Sequence, residues 1–63
     1  MMAYILVNTR SGNYFKREQM NGVCVDVTVK EEARQFDDYK SAVSKAMFLS
    51  EKDVYKVIEL ENN

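Results

Sequence analysis

The chain has 63 residues, of which 46% are hydrophobic and 30% are charged, a composition typical of one folded domain spanning residues 1–63. One cysteine, no histidine and two separated glycines exclude an intrachain disulfide, a structural zinc site and a phosphate-binding glycine loop. The formal charge of −1 argues against bulk electrostatic attraction to nucleic acid. A domain of this size buries only about 60% of its unfolded surface, so we expect association to supply part of its stability.

Two β-strands and a turn are predicted at the start of the chain. Residues 4–9 are rich in β-forming side chains, and Arg10, Ser11, Gly12 and Asn13 then supply turn residues. Residues 13–18 should return as the antiparallel partner.

A third strand is predicted after Asn21-Gly22, a pair that favours a two-residue type I′ hairpin turn. The strand that follows alternates valine with other residues, which indicates a half-buried strand. We expect its valines to face a helix: Val23, Val25, Val27 and Val29.

Residues 30–36 are ambiguous, because residues 30–33 favour a helical turn while Ala33 and Phe36 can anchor a short extended segment under the helix. We interpret them as a connector. The helix itself is predicted over residues 38–50, with Asp37 or Asp38 as its N-terminal cap. Its buried stripe is expected to consist of the apolar residues at three- and four-residue spacing: Tyr39, Ala42, Val43, Ala46, Met47 and Leu49.

A last strand is predicted over residues 54–60. One face is expected to carry Val54, Ile58 and Leu60, interrupted by Lys56, and the other face Tyr55, Val57 and Glu59. We expect it to pair with the first strand in the middle of the sheet. The order β-β-β-α-β predicts an α+β two-layer sandwich, in which one helix packs on one face of an antiparallel-rich sheet.

Enzymatic chemistry has little support in this sequence, and we predict a protein that is not an enzyme and has no cofactor or metal. Cys24 has no histidine to lower its pKa, and it is best interpreted as a passive strand residue. Two acidic pairs, residues 31–32 and 37–38, are adjacent in the chain and fit a solvated turn and a helix cap better than a catalytic or metal site.

Aromatic and basic residues alternate over the second strand, as in sites where nucleic acid bases stack on rings and phosphates meet cations. This pattern gives an alternative hypothesis, a nucleic-acid-binding module using Arg10, Tyr14, Phe15, Lys16 and Arg17. The acidic remainder of the chain makes this the weaker of the two hypotheses.

Partner binding through the sheet is the leading hypothesis, because one helix cannot cover both apolar faces of three or four strands. Alternation tends to place the tyrosines on the sheet face opposite Ile5, Val7 and Phe15, or on the reverse face if the strand registers slip. We expect them on the face away from the helix. Tyrosine is favoured at recognition surfaces, which gives these candidate partner-binding residues: Tyr4, Tyr14, Tyr55, Lys16 and Arg17. A homodimer, an inhibitor and pairing at an open strand edge all fit this hypothesis.

The first apolar run, residues 3–7, is too short for a membrane span and lacks the features of a secretory signal. We therefore expect a cytoplasmic protein that does not bind membranes, which also fits the lone thiol.

Residues 32–42 contain Ala33 and Phe36 in an Ala-x-x-Phe pattern, followed by an acidic helix start and then Ala42. This pattern, with the opening and closing strands, resembles short uncharacterised proteins encoded by phages and prophages of Gram-positive bacteria. The resemblance implies an accessory protein in the host cytoplasm that binds and inhibits a host enzyme or defence component. It transfers no active residue to this chain.

Overall fold

The computed structural model describes residues 2–49 and 54–61. These residues form the predicted order of elements, and the α+β fold with one helix packed on an antiparallel sheet is confirmed. The elements are β1 (Met2–Asn8), β2 (Tyr14–Glu18), β3 (Cys24–Val27), a 3-10 turn (Lys30–Glu32), α1 (Tyr39–Phe48) and β4 (Tyr55–Glu61). No helix in this part of the chain is long and apolar enough to cross a membrane.

The four strands form one antiparallel sheet in the order β3-β2-β1-β4. β1 and β4 pair in register over seven residues, from Met2 opposite Glu61 to Asn8 opposite Tyr55. The predicted pairing of the last strand with the first, central strand is confirmed, and it leaves β4 at one edge of the sheet.

Both hairpin turns depend on a glycine with positive φ, a conformation that side chains with a Cβ disfavour. Gly12 has φ 81° and donates its N–H to the Asn8 carbonyl. Gly22 has φ 86° and donates to the Gln19 carbonyl, while the Gln19 N–H bonds the Val23 carbonyl. The second turn thus contains three residues, 20–22, and the predicted two-residue turn at Asn21-Gly22 is wrong.

The connector before the helix lies between β1 and β2, where these two strands separate. A β-bulge at Lys16 shifts the register of β2, and the Arg34 N–H donates to the Phe15 carbonyl at 3.0 Å. Phe36 and Tyr4 then exchange two backbone hydrogen bonds, of 2.8 and 3.0 Å. Ala33 and Phe36 are both buried, which confirms the predicted anchoring.

The helix begins after Asp38, whose Oδ1 accepts a hydrogen bond from the Ser41 N–H at 2.7 Å. This bond lowers the pKa of the Asp38 carboxyl below its usual value of 3.8, because it stabilises the charged form. Of the two predicted caps, Asp38 is confirmed. The helix ends at Phe48, with Leu49 as its C-terminal cap; Ser50, the predicted last residue, lies outside the described residues.

The core lies between the sheet and the helix, and seven buried residues form it: Leu6, Phe15, Phe36, Ala42, Leu49, Val54 and Tyr55. Ala42 is the one fully buried residue within α1. Val43 and Ala46 are half-buried, whereas Tyr39 is 59% exposed and Met47 is 68% exposed. The prediction that the whole apolar stripe is buried is therefore wrong at Tyr39 and Met47.

The valines of β3 do not face the helix, contrary to expectation. Asp26 is opposite Phe15 in the sheet, and Cys24 packs against the core, so this set of β3 side chains lies on the helix side. Alternation then places Val25 and Val27 on the opposite face. Val23 and Val29 lie outside the strand and are 55% and 46% exposed.

Candidate partner-binding site

The outer edge of β4 is a candidate binding surface because alternate residues of an edge strand direct their N–H and C=O groups away from the sheet. The N–H groups of Tyr4 and Asn8 donate to Phe36 and Asn13, so both point away from β4. Tyr55 pairs with Asn8 and Glu59 pairs with Tyr4, so the N–H and C=O groups of Tyr55 and Glu59 point away from β1. The same alternation makes the backbone groups of Val57 point away from β1. Among residues 2–49 and 54–61, no strand pairs with this outer edge.

A groove lined mostly by apolar and aromatic residues runs beside this edge, between the strand and the helix. It has a volume of about 450 Å³ and is lined mainly by side chains from α1 and β4: Tyr39, Val43, Ala46, Met47, Tyr55, Lys56 and Val57. The helix contributes residues at three- and four-residue spacing. The strand contributes three consecutive residues, with Tyr55 and Val57 on the helix side and Lys56 between them. The groove therefore combines one side of a helix with the edge strand.

The ring of Tyr39 fixes one end of the groove. Tyr4 and Tyr39 contact each other edge to face, with ring centroids 5.9 Å apart. A smaller depression continues from this pair along the strand to Val57 and Glu59. An extended segment lying along the edge of β4 would contact both depressions.

A polar cluster lies at the other end of the sheet and links both of its edges. The Tyr55 hydroxyl donates to Asp26 Oδ1 at 2.7 Å, and Asn8 Nδ2 donates to Asp26 Oδ2 at 3.1 Å. Burial, followed by hydrogen bonds with Asp26 and Cys24, raises the pKa of the Tyr55 hydroxyl well above its usual value. Both carboxylate oxygens are therefore engaged within the cluster, which fits a structural tie between β1, β3 and β4.

The sheet face away from the helix carries half-buried apolar residues: Val7, Tyr14, Val25, Val27, Ile58 and Leu60. Two exposed cations, Arg17 and Lys56, lie on the same face. The described acidic residues of the first three strands lie on the helix side: Glu18 forms an ion pair with Lys45, and Asp26 bonds Tyr55. Glu59 is on the helix side as well, because it follows Val57 by two residues.

The predicted site residues divide between the two faces. Tyr4 and Tyr55 lie on the helix side with Phe15, so the prediction that all three tyrosines face away from the helix is wrong. Tyr14 and Arg17 share the opposite face, and Lys16 is exposed at the bulge. Tyr55 is buried, whereas Tyr4 borders the smaller depression.

Met47 and Tyr39 are the groove residues that sequence reasoning missed. The sequence predicts both in the buried stripe, because helical periodicity identifies the apolar side of a helix without showing how much of it the sheet covers. The width of the stripe is a signal for Met47, which lies at one side of it, whereas Tyr39 is the first residue of the helix.

Among the described residues, no group of three or more cysteine, aspartate or glutamate side chains is arranged to hold a metal ion. No protein-family model matches this chain, and no curated protein and no solved structure matches it either. The function is therefore inferred from the geometry of the site.

Proposed function

We propose that this protein is a small protein-binding module that docks a partner along β4 and the adjoining groove. The observation that carries the proposal is the outer edge of β4, where the backbone groups of Tyr55, Val57 and Glu59 point away from the sheet beside apolar helix residues. An added strand would receive main-chain hydrogen bonds from this edge, and the groove would select its side chains.

Burial of the groove gives such docking a source of free energy. Tyr39 and Met47 are more than half exposed although both are large and apolar. Covering a side chain of this size contributes about 1.5–3 kcal/mol when burial is complete, so each contributes roughly half of that here. Backbone hydrogen bonds at the strand edge add about 0.5–1.5 kcal/mol each.

The resemblance to phage-encoded proteins suggests which partner to look for. It favours a host enzyme or defence component that the protein binds and inhibits. Any occupant of the groove must offer apolar side chains on one face of an extended strand.

Site-specific photo-crosslinking in the producing cells tests the proposal. A photoreactive amino acid at position 47 lies in the groove, whereas position 48 is 82% exposed and borders a different depression with Arg34 and Phe36. We expect protein adducts from position 47 and few from position 48. Equal yields at both positions, or no adduct at either, would contradict the proposal.

A second candidate function, single-stranded nucleic acid binding, is favoured by the face away from the helix. Tyr14 and Arg17 lie on β2, a central strand, and Lys56 of β4 lies on the same face. Phe15 is fully buried, so it is not available to stack on a base. Fluorescence anisotropy with labelled oligonucleotides should show salt-dependent binding that Tyr14→Ala weakens; no binding at low salt removes this candidate.

A further inference from the structure

We propose that the occupant of the β4 edge and groove is a second copy of this chain, giving a symmetric dimer with one continuous eight-stranded sheet. This inference rests on the proposed function, and it names the partner for the same site. A two-fold axis perpendicular to the sheet would pair β4 antiparallel with its counterpart. Both helices would then lie on the same face of the sheet.

A dimer interface of ordinary size would cover a modest share of the surface of this chain. The chain exposes 4604 Å², and a stable interface takes about 800 Å² from each partner, roughly a sixth of this surface. An edge strand alone offers little side-chain surface, so a dimer needs apolar area next to the strand. Tyr39 and Met47 supply that area on the helix side, where the symmetry brings the two helices together.

The small core gives the chain a physical reason to associate. The four largest fully buried side chains are Phe15, Ile5, Leu6 and Leu49. The helix contributes Ala42 alone as a fully buried residue, although it also carries half-buried and exposed apolar residues facing the groove. Pairing two copies would bury this second part of the helix stripe and convert two marginal cores into one larger core.

The charges of β4 restrict where the symmetry axis crosses the strand. An axis at Lys56 would place two lysines opposite each other, and an axis at Glu59 would do the same with two glutamates. An axis through Val57 places Val57 beside its own copy, and an axis through Ile58 does the same with Ile58. Neither axis brings like charges directly opposite each other. The dimer is therefore centred on this apolar pair.

Light scattering after size-exclusion chromatography tests the dimer, using Met47→Glu and a matched variant, Phe48→Glu. Both residues are exposed on α1, at 68% and 82%, and only Met47 lines the groove. We expect the wild type and Phe48→Glu to have twice the 7.3 kDa mass of the chain. Met47→Glu should raise the dissociation constant by about 30-fold or more, because it places two carboxylates in the apolar centre.

Circular dichroism establishes that each variant is folded. If Met47→Glu unfolds, Tyr39→Lys makes the same test at the other end of the groove, since Tyr39 is 59% exposed. A wild type that stays monomeric up to millimolar concentration would overturn the dimer, as would equal loss of mass in Met47→Glu and Phe48→Glu. A monomer that still forms crosslinks from position 47 to another protein would overturn the dimer and leave the proposed function standing; a monomer without crosslinks would overturn both.

Discussion

The two edges of the sheet differ in length and in regularity. β3 has four residues, its partner strand is bulged at Lys16, and the chain leaves it for a 3-10 turn. β4 has seven residues, and every one of them is paired in register with β1. A short edge beside a bulge is a poor template for another strand, whereas a long, regular edge is a good one.

The surroundings of the two edges also favour β4 over β3 as the edge that binds another strand. Asp26 on β3 bonds Tyr55 and Asn8, so the helix side of that edge ends in a polar cluster. The edge of β4 adjoins the groove with Tyr39 and Met47. One sheet thus carries a protected edge and a receptive one, and this contrast is the basis of the proposed function.

The largest expected effect comes from placing proline at neighbouring positions of β4. The N–H of Ile58 points toward β1, so Ile58→Pro removes a hydrogen bond within the sheet and should unfold the protein or lower its melting temperature strongly. The N–H of Glu59 points outward, so Glu59→Pro should keep the fold and lose partner binding.

Thermal melts followed by circular dichroism, together with light scattering, distinguish these two outcomes. If Glu59→Pro unfolded as readily as Ile58→Pro, the assignment of outward and inward backbone groups in β4 would be wrong. If both variants kept the fold and the mass of the wild type, the edge would have no role in association.

A smaller effect is expected from Tyr55→Phe, which removes the link between the two edges. The change leaves Asp26 Oδ1 without its hydroxyl donor, and we expect a loss of about 1–2 kcal/mol in the free energy of unfolding. Urea denaturation measures this loss. No change in stability would show that the hydroxyl bond does not hold the edges together.

The same variant changes the dependence of stability on alkaline pH. The pKa of Tyr55 is raised above its usual value of 10.0 in the folded state, so the folded protein keeps a proton that the unfolded chain releases. Stability from this group is complete below pH 10 and is lost as the pH rises above 10. Tyr55→Phe should make the alkaline decline shallower; an unchanged slope would contradict the raised pKa.

Strand order and helix start were predictable from the sequence because local chemistry determines both. Gly12 and Gly22 mark the turns, and Asp38 is an acidic residue placed where it can cap the helix. The faces of β3 were not predictable in this way. Alternation separates Val25 and Val27 from the other residues of the strand, but it does not say which set faces the helix.

Long-range contacts determine which side chains of β3 face the helix. The Asp26 carboxylate bonds Tyr55, which is 29 residues away, and Cys24 packs against the core. The same contact holds Tyr55 on the helix side, away from the predicted tyrosine face. The outward direction of the β4 edge also depends on a long-range contact, because the bond between Tyr4 and Phe36 establishes the direction of the β1 backbone groups.

The smallest expected effect comes from replacing Asp38, the N-terminal cap of the helix, which directly precedes Tyr39 of the groove. Its pKa is lowered by the Ser41 hydrogen bond, so stability from this group is complete above pH 3.8 and is lost as the pH falls below that value. Asp38→Ala should lower the melting temperature slightly at neutral pH and flatten the acid decline. Asp38→Asn keeps a capping oxygen and is the control.

Amide hydrogen exchange along β4 tests the central claim most directly, because one strand supplies both the probe and its control. The N–H groups of Lys56 and Ile58 point toward β1 and should be protected at every protein concentration, while those of Val57 and Glu59 point outward. We predict that Val57 and Glu59 gain protection as the protein concentration rises through the dimer range. Rapid exchange at Val57 and Glu59 at all concentrations, with Lys56 and Ile58 still protected, would contradict the claim that this edge receives a second copy.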